Sequence, residues 1–365
     1  MRKEVIGPTQ LFAMMILFEL GTAVVVPIGL ESGHAVWLSI LLALPGAVVL
    51  YLIYADLYHQ FPELTISGYT QKILGKRIGW PLSLLYLPIL MYNGSRNLRE
   101  AGDLLLSASY DRTPVFIINS IMAFAVIYIL YLGIEVFART AEIYFLIIVG
   151  LGLICCFVVI AAGLVELENL FPVHPGEWLE AVDSAYPNIL VFPFGELVCF
   201  TAILPHFNSR RKARKVGILA VVLSAFLLSF THAVEMSVLG TDIYSRATFP
   251  MFTTITLVNV ANFIQRLDAL VILTLIIGVF FKMSIYCYAA ASITADLFKI
   301  KDIRRLVAPV GVVVLFSSFA SAENYPVHMN EGVIFLEKIL PFLCIVIPVL
   351  LFIVHRVRRK FNWYA

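Results

Sequence analysis

Two apolar runs constrain this chain more than anything else in it. "MMILFELGTAVVVPIGL" (14–30) and "AYPNILVFPFGELVCFTAILPHF" (185–207) are each long enough to cross a bilayer, yet both are interrupted near the middle. The first carries Glu19, Gly21, Thr22 and Pro27; the second carries Pro187, Pro193, Phe194, Gly195 and Glu196. A carboxylate near the bilayer centre costs at least ~2.5–3.5 kcal/mol. Glycine and proline in a helix interior cost roughly 1 and 3 kcal/mol more. Proline removes a backbone donor and glycine permits non-helical dihedrals, so both runs read as broken helices. Unwound backbone inside a membrane is tolerated only where it is buried in protein or lines a cavity, and ionisable groups there normally face such a cavity.

The composition supplies the membrane. Of 365 residues, 61% are hydrophobic and 14% charged, against about 45–50% and 25% in soluble domains. Ten apolar spans are expected, at about 9–30, 35–55, 80–106, 114–132, 140–163, 186–205, 216–238, 267–297, 306–321 and 333–354. They are numbered 1 to 10 below. Arg2 and Lys3 before the first run could mimic a secretory signal, but the run is long, holds Glu19 and precedes further spans, so it reads as a retained first span. Nineteen of the 26 lysines and arginines fall on the side of the two termini, four on the other, and three (Arg96, Arg99, Lys282) inside spans. That bias makes both termini cytoplasmic.

The expected fold class is therefore an all-α membrane protein of ten transmembrane helices. The whole chain, 1–365, is one transporter-like domain with no soluble module. The two breaks occupy matching positions five spans apart, which is the sequence mark of inverted repeats meeting at a midplane site. Spans 1–5 (about 9–163) and 6–10 (about 186–354) would be those repeats.

Other polar groups within spans extend the candidate site. Lys282, in "IIGVFFKMSIYCY", is the one lysine deep in an apolar run and must be paired, neutral or facing water. Glu19 and Glu196 are the available counter-charges, and Glu19–Lys282 is the expected pair. It would be a structural ion pair, a built-in cation at an ion site, or a proton relay. Tyr286 and Tyr288 could offer hydroxyls to a ligand. In span 3, Asn93 and Ser95 are small polar candidates for the site. Arg96 with Glu100 and Arg99 with Asp103 are spaced i,i+4, so they form two intrahelical pairs, or one arginine acts as an outer gate.

The five cysteines all lie in apolar segments without metal-ligand spacing and read as packing residues, so no metal and no cofactor is expected. No phosphate loop, nucleophile elbow or His-x-x-His pair is present, which argues against an enzyme. Nothing points to nucleic acid. The acidic connection at 164–185 is either an ordered outer element or a solvated loop. The basic cluster at 210–215 is a topology signal, or a docking surface for a partner or anionic lipid.

These residues carry a resemblance. "QLFAMMILFELGTAVVV" with Trp37, "LVFPFGELVCF" ending in Pro205, "FIQRLDAL" and "FFKMSIYCYAAA" are similar to the endospore germination receptor B-subunit family, part of the amino acid–polyamine–organocation transporter superfamily. The resemblance spans nearly the whole chain and implies a LeuT-like five-plus-five fold with helices 1 and 6 broken. It further implies a germinant-sensing subunit in the inner spore membrane, working with an A-type membrane subunit and a C-type lipoprotein. Its small ligand, an amino acid or a sugar, would be bound at Glu19, Gly21, Thr22, Asn93, Phe194, Gly195, Glu196 and Tyr286, with Lys282 nearby. Alanine-responsive members carry apolar or hydroxyl residues where this chain has Asn93 and Lys282, which implies a more polar ligand, or a ligand plus ion. The anionic group of such a ligand would face the amide ends of a broken half-helix. A proton- or cation-coupled amino acid transporter is the alternative.

Overall fold

The computed structural model describes residues 4–108, 112–171, 174, 176–258, 267–321 and 325–361. Arg2, Lys3 and Arg266 of the charge pattern, residues 263–266 of "FIQRLDAL", and 172, 173 and 175 of the acidic connection lie outside the described residues.

The described backbone is helical nearly throughout. Seven helical stretches are long and apolar enough to cross a membrane: Leu30–Gln60, Val115–Leu132, Ile134–Ala161, Gly176–Ala202, Arg210–Arg246, Asp268–Phe298 and Val327–Lys360. The other three expected spans are helical but fall short for physical reasons. Pro8–Leu20 is 13 residues long because the chain unwinds at Gly21. Tyr86–Ala108 carries Arg96, Arg99, Glu100 and Asp103. Arg304–Ala320 has 17 residues.

Two short helices that the hydropathy pattern does not reveal, Ile66–Leu74 and Lys76–Leu84, follow span 2; the second takes up the start of the expected 80–106 span, so the helix of span 3 runs from Tyr86 to Ala108. Gly75 separates the two short helices at φ 82°, a backbone that L side chains rarely adopt. Part of the acidic connection is ordered: Leu167–Leu170 and Gly176–Ser184 are helical. Trp37 Nε1 donates to the Leu170 carbonyl at 3.1 Å, and the amide of Glu166 donates to the Ser237 carbonyl at 3.0 Å, so this element sits on spans 2 and 7.

Spans 4 and 5 form the periphery. Phe116, Ile121, Phe124 and Tyr128 on one, and Ile143, Leu146 and Phe157 on the other, project outward with half or more of their surface exposed. A row of large apolar side chains in that position needs lipid as its solvent. Spans 1, 6 and 8 occupy the interior, where Met14–Phe18, Phe194–Ala202 and Phe281–Ala291 are buried. This is a multi-pass membrane protein.

The side rich in lysine and arginine is tightly closed. Glu4 pairs with Arg304 at 2.7 Å and accepts from the Ile134 amide at 3.0 Å. Ile6 bridges Phe207 in parallel, and His206 Nε2 meets the Tyr288 hydroxyl at 2.8 Å. Asp56 holds Arg214 at 2.9 Å and Arg356 at 3.1 Å. Arg214 of the basic cluster thus serves an internal contact, and Arg210 reaches the His59 carbonyl. All five cysteines are buried free thiols.

Candidate functional site

Both broken helices are broken, each in its own way. Span 1 stops at Leu20, and residues 21–26 form successive turns before a short 3-10 helix at Leu30–Ala35. The amides of Gly21, Val24, Val25 and Val26 find carbonyls of Leu17, Leu20 and Thr22 at 2.9–3.0 Å. The amide ends expected to receive an anionic ligand group are therefore already taken at these four positions. In span 6 the turn lies at Phe192–Pro193, at the leading edge of the expected break, and a 3-10 helix runs from Phe194 to Ala202. The Tyr54 hydroxyl bonds the Gly195 carbonyl at 3.1 Å and also the Cys344 carbonyl. It ties the second break to span 10, which carries π-helical turns at Phe335–Ile339 and Phe342–Val346.

Glycine at the first break serves close approach. A Cβ at Gly21 would stand 2.7 Å from Lys282 Cδ, and one at Gly278 would collide with the Gly21 carbonyl. Span 8 thus lies directly on the break, with the stem of Lys282 running over Gly21. This stem carries the amine past span 1 to span 6, which overturns the expected Glu19–Lys282 pair. Lys282 Nζ stands 2.8 Å from Glu196 Oε2, an ion contact off hydrogen-bond angles, with both side chains buried. The ammonium also lies 4.2 Å from the Phe192 ring centroid and 5.5 Å from that of Phe18. A desolvated cation on an aromatic face gains about 2 kcal/mol.

A cavity of about 220 Å³ lies between the two breaks and spans 3 and 10. Of the sequence-predicted residues, Thr22, Asn93, Glu196 and the gate candidate Arg96 line it. Glu19, Gly21, Phe194, Gly195, Tyr286, Lys282 and Arg99 do not. Glu19 is buried on the face toward span 7, near Ser224 and within reach of the charge on Lys282, and neither carboxylate oxygen has a hydrogen-bond partner among the described residues. Phe194 and Gly195 are packed behind the break. Tyr286 is stacked edge-on to Phe18 at 5.2 Å, and Tyr288 is spent on His206. Arg99 pairs with Asp103 at 3.0 Å, as the i,i+4 spacing predicts. Arg96 does something else: Nη1 donates to the His328 carbonyl at 2.8 Å, bridging spans 3 and 10 beside the cavity.

Asn97, Asn188 and Phe192 also line it without having been sequence candidates, and Glu100 lines it where the sequence offered it only as a partner of Arg96. Asn97 lies one turn beyond Asn93, a repeat that could have marked a polar stripe on span 3. Thr22 Oγ1 donates to Asn97 Oδ1 at 3.1 Å, and Asn97 Nδ2 donates to the Asn93 carbonyl at 2.8 Å. This fixes span 3 against the unwound part of span 1. Three buried polar atoms around the cavity have no hydrogen-bond partner among the described residues, Asn93 Nδ2, Glu100 Oε2 and Asn188 Oδ1, while Glu196 Oε2 is met by the Lys282 ammonium. Among the described residues, no group of three or more His, Cys, Asp or Glu side chains is placed to hold a metal ion.

Comparison with known proteins gives this geometry a family. The chain resembles the transporter Mhp1, of the nucleobase-cation-symport-1 family, in a closed conformation with bromovinylhydantoin bound. The TM-score is 0.70 at 15% identity, covering 98% of this chain and 80% of Mhp1. It also resembles MhsT in complex with L-phenylalanine, with a TM-score of 0.62 at 13% identity over 97% of this chain and 99% of MhsT. At such identities the likeness establishes the fold: a LeuT-like membrane fold. The chain is 36% identical over 362 residues to spore germination protein KB of Bacillus subtilis (strain 168), covering 99% of this chain and 97% of that protein. A family model described as "Spore germination protein" matches residues 5–326. The chain belongs to the spore germination protein family, the germination-receptor B subunits whose motifs it carries.

Proposed function

We propose that this protein is the germinant-sensing membrane subunit of a spore germination receptor, and that its ligand occupies the cavity between the breaks of spans 1 and 6. The observation that carries this reading is the set of three unpartnered polar atoms around one cavity, Asn93 Nδ2, Glu100 Oε2 and Asn188 Oδ1, facing the ion-paired Glu196. Leaving buried polar groups unsatisfied costs about 1–3 kcal/mol each, which a fold sustains where a ligand completes them. Two of the three accept and one donates, and Glu196 adds a further carboxylate, so the fitting ligand is small and rich in hydrogen-bond donors. Its amino or hydroxyl groups would meet Glu100, Asn188 and Glu196, and an acceptor would meet Asn93. Closing spans 1 and 6 against spans 3 and 10 would enclose it, with Arg96 as the outer latch. A ligand biases such closure only through different affinities for the open and closed forms.

In this reading the two repeats (about 9–163 and 186–354) meet at the cavity and both termini lie in the cytoplasm. The protein sits in the inner spore membrane and reports occupancy to an A-type membrane subunit and a C-type lipoprotein. Coupled transport is the second reading, favoured by the intact cavity in a fold shared with Mhp1 and MhsT. Proteoliposomes separate the two. Ligand that stabilises the protein but is not accumulated under an imposed pH gradient supports the receptor; accumulation driven by that gradient overturns the receptor-only reading.

A further inference from the structure

Span 7 carries a second buried polar cluster, outside the ligand cavity. His232 and Glu235 are fully buried, and Tyr244 is 2% exposed. His232 Nε2 lies 2.9 Å from the carbonyl oxygen of Ala23. A carbonyl only accepts, so Nε2 carries a hydrogen and the chemistry rests on Nδ1. Nδ1 is 3.0 Å from Glu235 Oε2 and 2.9 Å from the Tyr244 hydroxyl. Glu235 stands off the hydrogen-bond direction of Nδ1, which points at the Tyr244 hydroxyl. A proton on Nδ1 therefore donates to Tyr244 with the Glu235 carboxylate as its ion contact, and without it Nδ1 can only accept from Tyr244.

The Tyr244 hydroxyl reads the state of that proton. It stands 3.2 Å from the Ile28 carbonyl oxygen and 3.4 Å from the Ile28 amide. With the proton in place, the hydroxyl hydrogen goes to the Ile28 carbonyl. With the proton released to water, Nδ1 becomes an acceptor, the hydroxyl hydrogen turns to it, and the Ile28 carbonyl loses its donor. Ala23 and Ile28 bracket the unwound stretch of span 1, whose Val26, Pro27, Ile28 and Gly29 line the cavity. An Ile28 carbonyl that loses its donor on span 7 must be satisfied from the cavity side, which loosens the contact with span 7.

We propose that His232 and Glu235 form a proton-binding site whose occupancy sets how firmly span 7 grips the cavity-lining end of the span 1 break. The groups facing the pair are few. Span 7 itself contributes Tyr244, and span 5 brings the thiols of Cys155 and Cys156. Span 1 offers backbone here, with Glu19 lower down beside Ser224. The acidic connection brings Glu166, which accepts from Asn169 at 3.3 Å. Segment 30–35 brings Glu31, at the cavity, and His34, bound to the Asn169 carbonyl at 2.8 Å. Residues 36–48 of span 2 and the helix Pro250–Thr256 contain no titratable side chain.

The proton is its own probe, so no germinant is needed. Full-length protein in lipid nanodiscs would be followed by amide hydrogen exchange from about pH 5 to about pH 9, corrected for intrinsic rates. Protection of residues 22–29 should fall about tenfold in one step as pH rises, with residues 192–196 of the other break unchanged. His232→Gln can still donate to Ala23 but holds no such proton, and should give a flat profile, as should Glu235→Gln. Tyr244→Phe should be weakly protected at every pH. A flat wild-type profile, or an unchanged step in His232→Gln, overturns the proposal; if the variants do not fold, the wild-type profile decides alone. Only the consequence for ligand affinity rests on the proposed function. A clear exchange step with no ligand found in a screen would sink the ligand reading and leave the proton site standing.

Discussion

The two breaks share a signature, a glutamate beside glycine in an apolar run, and put it to different uses. In span 6, Glu196 faces the cavity and carries the ion contact to Lys282. In span 1, Glu19 turns toward span 7 and Ser224, and the cavity is met instead by Thr22 and the backbone beyond it. The asymmetry follows from span 8. Gly278 and the stem of Lys282 press on Gly21, so the near side of span 1 is occupied by packing and the amine emerges at span 6. One break is a charged wall of the cavity; the other is an unwound turn held by its neighbours.

The largest expected effect tests the charged wall. Lys282→Met leaves Glu196 buried without its cation and should cost about 3–5 kcal/mol, whereas adding Glu196→Gln should recover most of that. Denaturant or thermal unfolding of the purified protein reads it. A single mutant as stable as the double would dissolve the distinction between the breaks. Next comes the unwound turn. Gly21→Ala drives a methyl into Lys282 and should cost about 1–3 kcal/mol. Gly195→Ala meets Cys344 Cβ and the Leu190 carbonyl at 3.2 Å, a milder crowding, and should cost less. The reverse order would mean that span 6 is the tighter crossing. The smallest effect belongs to Glu19→Gln. Ser224 and, at longer range, Lys282 are the polar groups around Glu19, and Lys282 pairs with Glu196 instead. The change should therefore shift stability by under about 1 kcal/mol, and a loss as large as that of Lys282→Met would make Glu19 the main partner of Lys282.

The broken helices were legible because membrane burial makes glycine, proline and carboxylate costly. A fold keeps two such runs, five spans apart, where together they wall a cavity. Lys282 was legible for the same reason. Its partner was not, since sequence spacing across different helices says nothing of which way a flexible stem is deflected; that depended on contact between Gly21 and Gly278. Asn97 and Asn188 were missed, and Glu100 was read only as a partner of Arg96, because a polar residue on one helix does not show what faces it from another; the turn at Phe192–Pro193 and the bulged span 10 bring them together. His232 and Glu235 gave the same intramembrane signal as Glu19 but lie in a long, regular stretch of span 7 with no break to draw attention to them.

The central claim is that ligand sits in the cavity between spans 1, 3, 6 and 10, away from Glu19. A thermal-shift screen of amino acids and sugars on the purified protein would supply a stabilising compound, to be titrated against four proteins: wild type, Asn93→Ala, Glu100→Gln and Glu19→Gln. The account predicts affinity at least about tenfold weaker in the two cavity variants and unchanged in Glu19→Gln. Wild-type affinity in Asn93→Ala and Glu100→Gln, with binding abolished in Glu19→Gln, would contradict it.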